Sequence, residues 1–260
     1  MGTNTSRLNR SKTLHKAIQI LELFSLEHPD LGVREVATIL STNPSSVYRL
    51  ISTLNDEGYL EQNPSSRRYS LGPRVLKLAW LYNNINPIPR IAQKVFEEYA
   101  SVFEHSFFLI SLVSKFEAVY LAVKEGWSPL RITKQPGGIT NLHSTAGGKV
   151  LLAYQNESYV EDFLKSHKFT PLTERTITSP KIFRETLNVV RMQGYAINDG
   201  EQFEDIGAIA VPVIDLNGHV QNCVSLAYPR HQLKEGRLEF NRVLDCARDV
   251  ANQIMVHLSN

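Results

Sequence analysis

The chain has 260 residues, of which 42% are hydrophobic, so it is long enough for two domains with separate cores and is not a disordered polymer. Its polar, basic start and the absence of a run of about 18 apolar residues predict a cytoplasmic protein without a signal peptide or membrane span. The net charge of +2 is unevenly spread. Residues 1–82 carry 10 Lys or Arg and 7 Asp or Glu, against 18 and 19 in the remainder, which favours an anionic partner for the N-terminal part.

Two helices are predicted near the start of the chain. Apolar residues recur at helical spacing from Leu14 to Phe24 and stop before a breaker cluster at residues 28–30. A second helix follows Gly32, and its predicted buried residues are Val36, Ile39 and Leu40. Residues 1–11 precede both helices as a basic tail that is suited to approach phosphates.

The third predicted helix begins at Pro44, with Asn43 as its N-cap, and extends to about Glu57. An apolar stripe faces the core and consists of Val47, Leu50, Ile51 and Leu54. The opposite face is small and polar with one arginine, which fits a DNA major groove about 12 Å wide. The candidate DNA contacts on this helix are Pro44, Ser45, Ser46, Tyr48 and Arg49.

A β-hairpin is predicted after this helix, with strands at residues 59–61 and 67–71 around a turn at 63–66. Its returning strand begins with Arg67 and Arg68, which we expect to contact the phosphate backbone of DNA. Three helices and such a hairpin predict a winged helix-turn-helix domain over residues 12–72. Residues 73–89 are predicted to form a linker helix and the domain boundary.

Residues 90–260 alternate strands and helices, which predicts an α+β domain with an antiparallel or mixed sheet covered by helices. Helices are predicted at 90–103, 146–154, 157–166, 181–192 and 240–258, and strands at 107–113, 118–124, 195–198, 206–214 and 221–228. One helix opens with Ala146-Gly147-Gly148, whose free N–H groups could hold a carboxylate. Cys223 and Cys246 lack a metal-ligand spacing and are predicted to be buried, unreactive thiols.

Four motifs in chain order resemble the IclR family of bacterial transcriptional regulators. They lie at residues 41–60, 68–72, 142–153 and 194–213. The resemblance implies a two-domain α+β protein with a winged helix-turn-helix, a linker helix and a GAF-like α/β effector-binding domain. It also implies a homodimer or tetramer on a roughly palindromic operator in double-stranded DNA, without enzymatic activity, cofactor or metal. Members regulate catabolic genes in response to organic or aromatic acids.

The resemblance further implies which residues line the effector pocket. They are Ala146, Gly147, Asn198, Ile206, Ala208, Ser225 and Ala227. Asn198, Ala208 and Ala227 depart from the family pattern, in which an acid, a cysteine and a serine occur, and this favours a larger, less polar ligand than glyoxylate or pyruvate. Asp199 would replace Asn198 in the pocket if the strand register differed by one residue. Replacing Gly147 with Leu is expected to exclude the ligand's carboxylate without unfolding the domain.

Two other functions stay open from the sequence. The C-terminal domain could serve only for oligomerisation, in which case no metabolite would stabilise it. A small hydrolase is a remote alternative, because His143-Ser144 supplies catalytic residue types but no GxSxG, HExxH or P-loop motif is present.

Overall fold

The computed structural model describes residues 11–101, 103–127 and 133–259, and the chain divides into two compact units. Unit 1 comprises Met1–Ile85 and unit 2 comprises Asn86–Asn260. Most of the predicted basic tail, including Arg7 and Arg10, lies outside the described residues. Within the described part of the chain, no helix combines the length and the apolar character needed to cross a membrane.

Unit 1 combines helices with a small sheet. Its elements are α1 (Lys12–Glu22), β1 (Asp30–Leu31), α2 (Val33–Ile39), α3 (Pro44–Asp56), β2 (Leu60–Gln62), β3 (Tyr69–Leu71) and α4 (Arg74–Ile85). The strands pair antiparallel in the order β1-β3-β2, so the predicted hairpin is part of a three-stranded sheet. Strand β1 was not predicted, because a strand of two residues shows no alternating pattern.

Helix α3 begins as the sequence predicts. The Asn43 side chain accepts a hydrogen bond from the Ser45 amide at 2.9 Å, and Pro44 occupies the first turn. Val47 and Ile51 are fully buried in the core of unit 1. The fold therefore holds α3 by its apolar stripe and leaves the opposite face exposed.

The prediction that Ile39 is buried is wrong, because its side chain is 55% exposed. Val36 and Ala37 are the buried residues of α2. At 100° per residue, position 39 points away from the direction that Val36 and Ala37 share. The short helix buries its small alanine in place of the isoleucine.

Unit 2 is built on a six-stranded sheet. Its elements are α5 (Ile88–Tyr99), β4 (Ser106–Ser114), β5 (Glu117–Lys124), β6 (Ile139–Thr140), α6 (Ala146–Ala153), α7 (Glu157–Ser166), α8 (Pro180–Gln193), β7 (Ala196–Asp199), β8 (Ile206–Ile214), β9 (Val220–Pro229), α9 (Arg230–Lys234) and α10 (Phe240–Ser259). The strand order is β6-β5-β4-β9-β8-β7, and neighbouring strands pair antiparallel. The short elements β6 and α9 were not predicted.

Alternation along the strands separates two cores on the two faces of this sheet. Phe107 and Leu109 of β4 belong to the core that includes α5 and α10. Phe108 and Ile110, one position further along, belong to the core that includes α6, α7 and α8. Helices thus cover both faces of one antiparallel sheet, as expected for the predicted α+β domain.

Candidate functional site

The polar face of α3 is exposed in unit 1. The residues predicted to contact DNA from this helix, namely Pro44, Ser45, Ser46, Tyr48 and Arg49, are all exposed. The Ser45 hydroxyl donates to Asn43 Oδ1 at 2.8 Å, so its proton is already used within the cap. Among the described residues no acidic side chain pairs with Arg49. The face therefore offers hydroxyl groups and one free guanidinium to a partner.

Arg67 lies at the tip of the wing, in the turn between β2 and β3, and its side chain is exposed. Its backbone has φ of 59°, in the left-handed region that disfavours residues other than glycine. Hydrogen bonds that hold the turn include one from the Arg67 amide to Asn63 O at 2.9 Å and one from Gln62 Nε2 to Arg67 O at 3.1 Å. The cation at the wing tip is thus carried by an ordered but strained turn.

Arg68 was predicted to contact the DNA backbone, but its guanidinium is already bonded to groups of the protein. Its guanidinium bonds Asp30 Oδ1 at 2.5 Å, Asp30 O at 3.0 Å and Glu35 Oε2 at 2.9 Å. The Gly32 amide and Arg68 together lower the pKa of the Glu35 carboxyl. Arg68 therefore ties the wing to β1 and to the start of α2, and these bonds compete with a phosphate contact.

A cleft between the wing and α2 contains a cation that the sequence analysis missed. Arg34 of α2 is exposed and lines this cleft together with Tyr48 and Arg67. Arg34 also borders the groove beside the turn between α2 and α3. Arg34 could have been found from the sequence, because it is the one cationic residue in α2. An anionic strand lying across this surface would meet cations from α2, α3 and the wing.

A cavity in unit 2 brings together all the residues that the resemblance assigned to an effector pocket. It lies between the sheet and the start of α6, and its lining includes Ala146, Gly147, Asn198, Ile206, Ala208, Ser225 and Ala227. The cavity volume open to the centre of a water molecule is only about 40 Å³. This space holds a few waters, so a ring-sized ligand requires the walls to move apart.

The sheet side of the cavity follows from strand register. Asn198 pairs with Ala208, and Ala208 pairs with Ala227, so these three residues form one row across β7, β8 and β9. Ser225 lies on the same face of β9, two residues from Ala227. The two alanines of this row leave a depression in the sheet that larger side chains would fill.

Half of the residues that line the cavity were not predicted from the sequence. The additional residues are Phe108, Ile110, Tyr120, Lys134, Thr145, Gln202 and Phe203. Lys134 is the one cation of the lining in the part of the chain that the structure describes, and its Nζ lies 5.5 Å from the centre of the Phe203 ring. Phe108, Ile110 and Tyr120 come from β4 and β5, far along the chain from the other lining residues. No short motif marks them.

Two residues at the start of α6, Ala146 and Gly147, line the cavity. Thr145 is the N-cap, and its hydroxyl oxygen accepts from the Gly148 amide at 3.0 Å. Among the described residues, no hydrogen bond engages the amides of Ala146 and Gly147. Unpaired amides at a helix start stabilise an anion.

The expectation that Gly147→Leu leaves the domain folded stays a prediction, and the surroundings of Gly147 bear on it. A Cβ atom on Gly147 would lie 2.5 Å from Ile110 Cδ1 and 3.2 Å from Cys223 Sγ. A side chain at position 147 would therefore point at the sheet, where the Ile110 side chain would have to shift to admit it. A test of the cavity has to use another position.

The register question at β7 is resolved in favour of Asn198. Its Oδ1 accepts a hydrogen bond from the Glu201 amide at 2.8 Å, which leaves Nδ2 as a donor. Asp199 alternates to the other side and pairs with Arg230 and, at 3.2 Å, with Arg175. The hydrogen bond from Arg230 holds the pKa of the Asp199 carboxyl below its ordinary value.

His143 and Ser144 do not form a catalytic pair. His143 Nε2 donates to Thr170 O at 3.1 Å, and His143 Nδ1 lies 2.8 Å from His167 Nε2. Both ring nitrogens of His143 are therefore engaged away from Ser144. The Ser144 hydroxyl is fully buried and has no hydrogen-bond partner among the described residues. An activated, accessible nucleophile is not built from these residues.

The chain matches two family models that together span most of its length. Residues 13–64 match the IclR helix-turn-helix domain, and residues 84–256 match the bacterial transcriptional regulator IclR C-terminal domain. The HTH-type transcriptional regulator KdgR of Escherichia coli strain K12 is 32% identical over 246 residues, covering 92% of this chain and 93% of KdgR.

Solved structures agree in fold. The IclR transcriptional regulator of Alicyclobacillus acidocaldarius has a TM-score of 0.82 at 24% identity, covering 95% of this chain and 99% of that one. An IclR homologue from Microbacterium hydrocarbonoxydans, complexed with 4-hydroxybenzoate, has a TM-score of 0.79 at 19% identity, covering 95% and 99%.

Proposed function

Because this chain belongs to the IclR family and is a DNA-binding transcriptional regulator, not an enzyme, we propose that the cavity of unit 2 binds a small organic acid whose binding changes its affinity for DNA. The observation that carries the proposal is the meeting of all seven expected pocket residues in one cavity. Regulation of a catabolic operon is part of the proposal. The cytoplasm, where such a regulator reaches its operator, is the proposed location.

The cavity suits a ligand with one anionic and one apolar end. The amides of Ala146 and Gly147 and the ammonium of Lys134 favour a carboxylate. Apolar walls such as Phe108 and Ile206 favour a hydrocarbon or ring. Ser225 and Asn198 can hydrogen-bond a second polar group. A homologue of the same fold complexed with 4-hydroxybenzoate supports this class of ligand.

We propose that DNA is read by the exposed face of α3 and held by cations around it. The proposed DNA contacts of α3 are Pro44, Ser45, Ser46, Tyr48 and Arg49. The proposed DNA-binding domain comprises residues 12–72, and the proposed linker comprises residues 73–89. Arg67 and, newly, Arg34 would neutralise phosphates. Arg68 is reassigned to positioning the wing, because Asp30 and Glu35 already hold its guanidinium.

A homodimer or tetramer is the proposed assembly. Helix α4 buries none of its residues, and its exposed apolar side chains include Leu76, Leu78, Trp80, Leu81 and Ile85. Exposed apolar surface of this extent in one helix favours a protein partner, and a second copy of the chain would place two recognition helices on a palindrome. The half-sites should then lie about 34 Å apart or a multiple of it.

Footprinting on the promoter region beside its own gene tests the DNA proposal. The expected result is a protected, roughly palindromic site whose affinity falls steeply with salt. No protected site at any salt concentration would contradict it.

Calorimetry of the full chain with aliphatic, keto and aromatic acids tests the ligand proposal. Ala208→Leu fills the depression in the sheet and should weaken binding of any active acid by more than about tenfold, as expected when a buried cavity is lost. Val189→Leu, on the exposed surface of α8, is the matched control and should bind normally. If no acid binds, or if Ala208→Leu binds as well as the control, the ligand proposal fails and a purely oligomerising domain is favoured.

A further inference from the structure

A buried ion pair lies next to the cavity, and neither of its two residues is part of the cavity lining. Lys149 Nζ of α6 donates to Glu201 Oε1 in the loop between β7 and β8. The two side chains are only 3% and 11% exposed. The pair joins two segments that each supply part of the cavity lining, the start of α6 and the β7–β8 loop of residues 200–205.

The β7–β8 loop carries several of the groups that face the cavity. Gln202 and Phe203 follow Glu201 directly and line the cavity. The Glu201 amide donates a hydrogen bond to Asn198 Oδ1 at 2.8 Å. This bond fixes the orientation of the Asn198 amide group and leaves its Nδ2 available as a donor. The position of Glu201 therefore decides both where the loop lies and how Asn198 is oriented.

Two threonine side chains hold the backbone of the loop, but neither is hydrogen-bonded to the Glu201 side chain. The Thr176 hydroxyl donates to Glu201 O at 2.7 Å, and the Thr173 hydroxyl donates to Gly200 O at 2.7 Å. Gly200 adopts φ of 83°, and a Cβ atom there would lie 2.8 Å from Glu204 O. This tight turn directs Glu201 inward, where Lys149 is the cation that meets it.

Burying two charges is costly, and an apolar pair of similar size often stabilises a fold equally well. Stability alone therefore does not account for the ion pair. What distinguishes the ion pair is its fixed geometry. An ammonium and a carboxylate keep their atoms at one short hydrogen-bonding distance, whereas apolar side chains can shift past each other at little cost.

We propose that Lys149 and Glu201 are positioning residues of the ligand cavity, whose ion pair holds the β7–β8 loop against α6 so that Asn198, Gln202 and Phe203 face the ligand. The role in ligand binding rests on the proposed function. The claim that the ion pair fixes the position of the loop does not depend on the proposed function. Breaking the pair frees the loop locally and leaves the sheet intact.

Hydrogen exchange of the full chain, followed by mass spectrometry, tests the loop's dependence on the pair without any ligand. The double variant Lys149→Met/Glu201→Leu removes both charges and leaves no lone buried ion. Peptides covering residues 199–206 should exchange at least about tenfold faster, while peptides from β4 and β9 stay unchanged. Arg175→Met, which removes the half-exposed pair with the neighbouring Asp199, is the matched control and should change loop exchange less than about twofold.

Either of two results with the double variant in this exchange experiment would overturn the proposal. Unchanged exchange in residues 199–206 would mean that the threonine contacts suffice to hold the loop. An equal increase in β4 and β9 would mean that the pair serves the stability of the whole unit. If the double variant does not fold, Glu201→Gln decides, since it keeps the size and an acceptor oxygen but loses the charge. It should raise loop exchange alone by at least about threefold, and no change would refute the role.

The ligand arm separates this inference from the proposed function. The same acids are titrated into wild type and double variant, with 4-hydroxybenzoate and pyruvate as the first probes. An acid that binds wild type should bind the variant at least about tenfold more weakly, since the loop has to be ordered first. Equal affinity would reject the positioning role while ligand sensing stands. A loop effect without binding of any acid would reject the proposed ligand while the loop's dependence on the pair stands.

Discussion

Arg67→Gly should stabilise the wing while weakening DNA binding. The position has φ of 59° and ends a turn in which Asn63 accepts from the Ser65 and Ser66 amides at 2.9 and 3.1 Å. Glycine adopts this conformation without steric cost, whereas arginine does not. A strained arginine at an exposed tip is expected where its charge is used, because function offsets a local loss of stability.

The size of both effects can be derived from this geometry. A left-handed conformation costs a residue with a Cβ atom about 1–2 kcal/mol. The greater freedom of glycine in the unfolded chain offsets about 0.4–1 kcal/mol of the gain. A net stabilisation of about 0.5–1 kcal/mol corresponds to roughly two- to fivefold slower amide exchange at 25 °C. Loss of one phosphate contact should reduce the slope of log affinity against log salt by about 0.9 per bound wing.

Hydrogen exchange of residues 59–71 and a salt series of operator binding measure the two effects in the same protein. Arg67→Ala is the matched control, since it loses the charge but keeps the left-handed strain. Both variants should show the same reduced salt slope, and only Arg67→Gly should exchange more slowly than wild type. Exchange as fast in Arg67→Gly as in Arg67→Ala would refute the strain argument. An unchanged salt slope in both variants would refute the phosphate contact.

Three further outcomes are expected. Arg68→Met should lower operator affinity by misplacing the wing but leave the salt slope within about 0.3 of wild type, and a drop near 0.9 would return Arg68 to the phosphate contacts. Tyr48→Phe should change the ranking of operator variants in binding assays, and a uniform loss across sequences would make Tyr48 a backbone contact. Burial and the neighbouring His143 lower the pKa of His167 from its ordinary 6.5 to about 4, so the unfolded chain takes up the proton first and stability falls as pH drops from 6.5 towards 4. His167→Gln should flatten that fall in calorimetric unfolding, and an equally steep fall would assign it to other groups.

The cavity of unit 2 shows how far a pattern in the sequence reaches. Asn198, Ala208 and Ala227 were assigned from the family resemblance, and strand alternation places such residues on one face once the register is known. Phe108 and Tyr120 face the same cavity but were missed. They lie on the hairpin of β4 and β5, which reaches the other lining strands only through the pairing of β4 with β9, and no local signal encodes that pairing.

The amino-acid sequence by itself determined the units of this protein. The Asn43 cap with Pro44, the period of the apolar residues and the turn residues specify where helices and strands begin, because those preferences depend on neighbours within a few residues. Only the tertiary structure shows which side chains Arg68 and Lys149 pair with. Their partners Asp30 and Glu201 lie 38 and 52 residues away, and a pairing over such distances depends on how whole elements pack. For the same reason only the structure shows that Gly147 lies against the sheet, where a single Cβ atom would meet a side chain 37 or 76 residues distant.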